Sequence, residues 1–340
     1  MKRLPVEHAI GETLCHDMTA IRADGFKGVA FKRGHVIRAE DVPVLLSMGK
    51  SHVFVWDPAA DEVHEDDAGL IGALALSGPG ITYSGPAEGR YTLTAERDGL
   101  FTVNRPALRA FNAVPDYTAA TLPTHTPVHA GDRVAGVRII PLVAAREQVQ
   151  TIEALGIARG PVLSVRPYAP LRVGIVITGT EVAAGRIKDR FEPILRSKVS
   201  DFGGRVFRVT QCPDDISAIL RAARSCLAEG ADLLLFTGGM SVDPDDLTPT
   251  AIRQTGAEVV VQGVPVQPGN MLMLAYLDNI PLIGVPGAAM RGRPTSLDVI
   301  LPRIFVGDTL TATDFETIGE GGLCRACATC SYPTCYFGRG

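Results

Sequence analysis

Apolar and polar positions change rhythm along this chain, and the change separates its two halves. In the last half, unbroken apolar runs recur at Val173-Gly174-Ile175-Val176-Ile177-Thr178, at Asp232 to Thr237 and at Pro281 to Val285. Such runs are strand-length and lack alternation, the pattern of strands buried on both faces of a parallel sheet. Between them, Lys198 to Phe202 closes a helix stopped by Gly203-Gly204, and Arg205 to Thr210 reads as a strand. Asp214-Asp215 precedes Ile216 to Leu220, where acidic residues suit the start of a helix. Glu258 to Val264 and Met271 to Ala275 read as further strands, and a final helix follows Pro286-Gly287. The alternation predicts a three-layer α/β/α domain over about 171–308.

The first half is β-rich and more irregular. Residues 1–57 predict a small α+β module, with a helix over Ala39 to Met48 and a strand over His52 to Trp56. Within it, Gly25 to Ile37 resembles a β-clip-type module whose Lys27, Lys32, Arg33 and His35 form a basic, solvated face. Residues 58–85 read as a linker with a short apolar helix at Leu70 to Leu76. Residues 86–170 form a β-rich region and hinge: Tyr91 to Ala95 alternates, Asp98-Gly99 and Ala130-Gly131-Asp132 signal turns, and Val134 to Val143 reads as one long strand. Glu147 to Leu155 reads as a linking helix, and residues 309–340 are a Cys-rich tail.

Composition narrows the class. The 340 residues are 46% hydrophobic and 21% charged, which makes the chain globular, and a net charge of −4 argues against nucleic-acid binding. No stretch approaches the ~18 apolar residues of a membrane span, and Met1 to His8 lacks the apolar core of a signal peptide. The expectation is a cytoplasmic protein without a membrane partner.

Candidate chemistry sits where the apolar strands end. Four loops fall there: Thr178-Gly179-Thr180-Glu181, then Thr237-Gly238-Gly239-Met240-Ser241-Val242-Asp243-Pro244-Asp245-Asp246, then Val266-Gln267-Pro268-Gly269-Asn270, then Gly284-Val285-Pro286-Gly287-Ala288-Ala289. In open α/β sheets ligands bind outside the carboxyl ends of strands. Paired glycines let the backbone approach a ligand and aim amides at it, and carboxylates suit a cation. A polyanion bridged by a metal ion is the ligand this pattern suggests. Taken alone, the carboxylates Asp243, Asp245 and Asp246 also fit a solvated loop and helix cap.

Together these loops resemble the molybdopterin-binding domain of molybdenum-cofactor biosynthesis proteins. That family has a Thr-Gly-Asp-Glu loop, a Thr-Gly-Gly-x-Ser-x-Gly loop ending in Asp, a Lys-Pro-Gly-Lys loop and a Leu-Pro-Gly-Asn-Pro loop. The whole chain is similar to a shorter group of prokaryotic molybdopterin-binding proteins related to the molybdopterin molybdenumtransferases. The resemblance implies Glu181 and Asp246 as catalytic carboxylates, Asp246 also holding Mg²⁺. It implies a cofactor cradle of Thr178, Gly179, Ser197, Thr237, Gly238, Gly239, Ser241, Pro268, Gly269, Pro286 and Gly287. Its ligand is molybdopterin or its adenylate, its co-substrate molybdate or tungstate, and its assembly a homo-oligomer.

Departures from the pattern bear on the chemistry. Thr180 stands for Asp, Asp243 for Gly, Gln267 and Asn270 for both lysines, and Ala288-Ala289 for Asn-Pro. Of an Asp-Ser-Asn motif, only Ser197 matches within Arg196-Ser197-Lys198, whose two cations are candidates to replace the missing charge. Three functions stay open: an insertion enzyme, a non-catalytic carrier, chaperone or sensor, and a nucleotide pyrophosphohydrolase of the same fold.

Other residue types add one site and remove several. Cys324, Cys327, Cys330 and Cys335 crowd the last 17 residues, a spacing open to a zinc ion, an iron–sulfur cluster or a bare tail with incidental thiols. All seven histidines precede residue 130, so the ligand domain has no histidine base, and Ser241 lacks a partner for serine-hydrolase chemistry. Pro127 between His125 and His129 disfavours a helical metal pair.

Overall fold

The computed structural model describes residues 1–21, 27–55, 61–87, 89–158, 160–179, 189–241, 243, 246–291 and 294–339. The chain divides into two compact units. One gathers residues 1–96, 103–122 and 130–164; the other gathers 97–102, 123–129 and 165–340. Among the described residues no helix is long and apolar enough to cross a membrane.

The first unit opens with two small antiparallel pairs, Lys2–Pro5 with His52–Val55 and Met18–Ile21 with Lys27–Phe31. The helix Asp41–Ser47 buries Leu45 against Val6, Leu14, Ile37, Val53 and Val55. Lys32 and Arg33 are exposed as expected. Arg33 nevertheless reaches Asp66 at 3.0 Å, and His35 reaches Asp41 at 2.7 Å, so half of the basic cluster is paired within the fold.

Residues 58–85, expected as a linker, are packed into this unit. They carry the strand Glu62–His64, the helix Glu65–Leu76 and the start of the strand Ile81–Ala87. The helix lies on an antiparallel sheet ordered Ile81–Ala87, Arg90–Ala95, Arg133–Ile139, Tyr117–Thr121. Its buried face is made of small residues, Ala68, Gly69, Gly72 and Ala73, ending at Leu76. A Cβ at Gly72 would stand 3.1 Å from the Tyr117 ring and 3.2 Å from Val137, so glycine there sets the packing distance. The long strand expected over Val134 to Val143 is two strands, Arg133–Ile139 and Val143–Ala145. Pro141 lies in the gap, where its missing N–H cannot continue a ladder.

A polar cleft of about 300 Å³ in the same unit is lined by residues that include Arg33, His64, Glu65 and Asp66. His64 is 2% exposed. Its Nε2–H donates to the Cys15 carbonyl at 2.6 Å while Nδ1 accepts the Asp66 amide at 3.1 Å, which is the neutral tautomer. Burial holds its pKa below the ordinary 6.5.

The second unit is built on a six-stranded sheet. In spatial order its strands are Arg205–Cys212, Arg172–Thr178, Leu233–Thr237, Ile280–Gly284, Met273–Leu277 and Glu258–Gln262. The first four are parallel, and the last two continue the sheet as an antiparallel pair. Successive side chains point to opposite faces. Val173, Ile175, Ile177, Leu233 and Leu235 join one core with the helices Phe191–Ser200 and Ser296–Phe305. Val176, Leu234 and Phe236 join a second core with the helices Ile216–Ala228 and Thr248–Gln254. That is the three-layer α/β/α plan, and burial on both faces is why these strands read as unbroken apolar runs. Asp215 caps its helix, accepting the Ala218 amide at 2.8 Å. In this unit Pro127 lies in the strand Thr126–Val128, so His125 and His129 share no helix.

Candidate functional site

The antiparallel pair decides where the four loops meet. Register partners cross the sheet in one row: Cys212 with Thr178, Ile177 with Thr237, Phe236 with Gly284, Gly284 with Met273, and Met273 with Gln262. Four parallel strands therefore end at this edge, at Cys212, Thr178, Thr237 and Gly284. The strand Glu258–Gln262 also ends there, and its antiparallel neighbour begins there at Met273. The connection 263–272, which contains the Gln267-Pro268-Gly269 loop, is thereby returned to the same rim.

At the centre of the rim, threonines and glycines are packed backbone to backbone. Gly238 has φ +82° and Gly239 +52°, conformations that L side chains rarely adopt. A Cβ on Gly238 would stand 2.2 Å from the Thr178 carbonyl oxygen, so only glycine fits beside the first loop. The Thr178 hydroxyl donates to the Thr237 carbonyl at 3.1 Å and lies 3.2 Å from the Thr248 hydroxyl. Thr248 in turn donates to the Gly238 carbonyl at 2.9 Å. All three threonines are buried. The Thr237 hydroxyl is buried with no hydrogen-bond partner among the described residues. Met240 then folds back over Gly284, leaving Ser241 exposed at the loop tip.

Asp246 is half-buried and tied into its own turn. Its Oδ2 accepts the Asp243 amide at 3.2 Å, and its amide donates to the Asp243 carbonyl at 2.9 Å. Asp243 is exposed. Glu181, Thr180, Val242, Pro244 and Asp245 lie outside the described residues. Among those described, no three His, Cys, Asp or Glu side chains already surround a common point at metal distance.

The third and fourth loops are organised by the helix Ser296–Phe305. Gly269, at φ +108°, presses on its first turn, where a Cβ would meet Ser296 Oγ at 2.5 Å. The Ser296 amide donates to the Pro268 carbonyl at 3.2 Å and its hydroxyl to the Gly269 carbonyl at 2.6 Å. Thr295 and Asp298 close a capping box on the same turn. These amides are therefore engaged by protein. Pro286 is buried, and Gly287 is exposed at the start of the short turn Gly287–Arg291.

Several expected groups have other partners. Arg196 pairs with Glu192 at 2.8 Å, and Lys198 pairs with Asp298. Both candidate cations are thus engaged by carboxylates of the same unit. Ser197 is exposed in the last turn of the helix Phe191–Ser200, about two turns beyond its first residue. The terminus of that helix is held by Asp189, whose carboxylate accepts the Phe191 and Glu192 amides at 3.2 and 2.7 Å. Asp189 with Glu192 three residues on is a helix-start signal in the sequence that Ser197 obscured. Thr248 was also missed, although a threonine before Pro249 at a helix start is a recognisable cue. Cys212 closes the end of its strand with a thiol that burial pushes up to about 11, so it is protonated and inert at neutral pH.

Two family models match this sequence. One, described as a probable molybdopterin binding domain, matches residues 174–305; the other, a domain of unknown function (DUF8806), matches residues 3–57. The chain is 38% identical over 91 residues to a CinA-like protein of Mycobacterium sp. (strain MCS), covering 26% of this chain and 22% of that protein. It is 28% identical over 148 residues to a molybdopterin molybdenumtransferase of Synechococcus elongatus, covering 41% and 34% respectively. The chain thus spans about a fifth to a third of the length of these curated relatives. A solved structure of the molybdopterin biosynthesis enzyme MoaB from Thermus thermophilus is similar at 22% identity and TM-score 0.35, covering 41% of this chain and 98% of that one. Residues 174–305 are thus similar to the probable molybdopterin binding domain family.

Proposed function

We propose that this rim binds molybdopterin or its adenylate and that the protein acts in molybdenum-cofactor maturation as a molybdopterin molybdenumtransferase. The observation that supports it is the convergence of all four loops on one sheet edge, including the one returned by the antiparallel pair. Loop amides at Gly238 and Gly239 suit phosphate, while the Gly179 amide is taken by the Cys212 carbonyl at 3.1 Å, and the Gln267-Pro268-Gly269 and Pro286-Gly287 turns flank the position. Asp246, with Glu181, would hold a Mg²⁺ that offsets the ligand's phosphate charge, since hard cations take oxygen ligands. Molybdate or tungstate would then enter at the dithiolene as the adenylate is cleaved.

One observation favours a second reading, a carrier or sensor that binds without turnover. Arg196 and Lys198 are both ion-paired, and Gln267 and Asn270 are neutral, so the rim has less fixed positive charge than the family pattern implies.

Calorimetry under anaerobic conditions tests both, with molybdopterin and its adenylate as titrants, with and without Mg²⁺ and molybdate, and with AMP measured alongside. Molybdate-dependent AMP release supports the transferase. Tight binding without AMP release supports the carrier, and AMP release from ordinary dinucleotides supports a pyrophosphohydrolase. Absence of binding to either titrant overturns the assignment of the rim.

A further inference from the structure

Residues 320–339 contain no helix and no strand, yet they are fixed in place. Phe337 is 2% exposed in the core beneath the sheet. Tyr332 donates to the Asp298 carbonyl at 2.9 Å, and Tyr336 to the Leu323 carbonyl at 2.8 Å. Arg339 donates to the His125 carbonyl at 2.8 Å and to Thr126 Oγ1 at 2.9 Å. The Gly338 amide meets the Gly321 carbonyl at 3.0 Å, so the segment is a loop whose ends are joined. Short irregular segments of this kind are generally held by disulfides or by a metal.

All four of its cysteines line one cavity of about 50 Å³, walled on its inner side by Tyr332 and Phe337. None is in a disulfide; Cys324 and Cys335 are half-buried, and Cys327 and Cys330 are exposed. The turn between the first two has a distinctive form. Ala326 holds φ +52°, and its amide points at Cys324 Sγ across 3.5 Å. A non-glycine residue in the left-handed region is a local cost, and this turn carries one between the first two cysteines. Among the described residues the four thiols do not already surround a common point, so metal binding would draw Cys327 and Cys330 toward the inner pair.

This loop is also sewn to the rim. The Cys324 amide donates to the Gln267 carbonyl at 2.7 Å, and the Gln267 amide donates to the Gly322 carbonyl at 2.8 Å. Gln267 thus stands between the first cysteine and the Pro268-Gly269 turn of the third loop.

We propose that Cys324, Cys327, Cys330 and Cys335 form a four-thiolate metal centre that fixes the loop Val266–Asn270. The ligand class is a soft, thiophilic metal: a single zinc ion or an iron–sulfur cluster. Each thiol gives up its proton as its bond to the metal forms, and no electron transfer is needed for assembly around zinc. Iron and sulfide are the added components of a cluster. The centre does not depend on the ligand proposed for the rim.

The test uses the full chain purified without oxygen beside a Cys327→Ser/Cys330→Ser variant, with elemental analysis and visible absorption. About one zinc per chain without colour supports the zinc form. Iron with acid-labile sulfide and a visible band bleached by dithionite supports the cluster form. Metal content no higher than in the double variant, after reconstitution with each metal, overturns the centre. Hydrogen exchange then tests the coupling: metal loading should slow the Gln267 and Cys324 amides by about tenfold or more. Equal exchange with and without metal overturns it. A loaded centre in a protein that ignores molybdopterin would sink the function proposed for the rim and leave this inference standing.

Discussion

The hydroxyl of Thr248 donates to the carbonyl of Gly238 at 2.9 Å, so a residue at the start of the next helix fixes the glycine turn of the second loop. Thr248 is fully buried, and it also lies 3.2 Å from the Thr178 hydroxyl. Replacing it with valine keeps the shape and removes the donor, leaving the half-buried Gly238 carbonyl without this bond. Thr248→Val should cost about 1–3 kcal/mol and lower the Tm, while Thr248→Ser stays close to the parent. Equal melting of the parent and the valine variant would show that the turn does not rely on this bond.

Two glycines of the rim should respond differently to the same substitution. Gly238→Ala puts a Cβ 2.2 Å from the Thr178 carbonyl at a φ of +82°, so it should destabilise by more than about 1 kcal/mol and distort the loop. Gly287 is exposed, and a Cβ there meets nothing within 4 Å. Gly287→Ala should leave stability within about 0.5 kcal/mol. Denaturant midpoints decide, and comparable losses at both positions would contradict the packing described.

Stability of the first unit should fall with pH through the histidine range. Burial lowers the His64 pKa below 6.5, with Arg33 nearby acting in the same direction and Asp66 and Asp67 opposing. Unfolding restores the ordinary value, so the unfolded state binds the proton more readily. The neutral-state stability is intact above about 6.5 and is lost as pH drops toward the depressed folded value. Thermal melts between pH 7.5 and 5.5 should show this slope, and His64→Gln should flatten it. An unchanged slope in the variant would assign it to other groups.

Asp246 separates binding from folding. Its carboxylate accepts one amide, at 3.2 Å, in a loop turn. Asp246→Asn keeps that acceptor and loses the charge, so the Tm should hold while Mg²⁺-dependent AMP release disappears. Persistent Mg²⁺-dependent turnover in the asparagine variant would remove Asp246 from the metal site.

Charge can be returned to the third loop. Asn270 is exposed beside Gly269, and Asn270→Lys should tighten binding of the anionic ligand by up to about tenfold at low salt, with the gain fading as salt rises. A gain independent of salt, or none, would mean that this loop does not face the ligand's charge.

The α/β domain was legible because its strands are buried on both faces. Leu233 to Thr237 has nowhere polar to point, and that leaves an unbroken apolar run. The glycine loops were legible because positive φ and close approach demand glycine at Gly238, Gly239 and Gly269. The helix Glu65–Leu76 was only half visible: its buried face is glycine and alanine, so its packing comes from the absence of side chains instead of an apolar stripe. Asp189 is overshadowed by Ser197, because a family motif draws the eye past the capping signal that holds the helix. The pairing of Lys198 with Asp298 is a long-range contact, 100 residues apart, that no local pattern encodes.

The reversed strand pair at the edge of the sheet gives the rim a doorway through which the chain both leaves and re-enters. Leaving at Gln262 and returning at Met273, the span 263–272 is anchored in the core by Val264, Val266 and Leu272, so charge can change at its exposed positions, Asn270 among them, with the register of the four parallel strands kept. The same span is where the cysteine loop is stitched on, through Gln267. The frame of the sheet and the charge of this corner of the rim thus rest on different residues of one short stretch of chain.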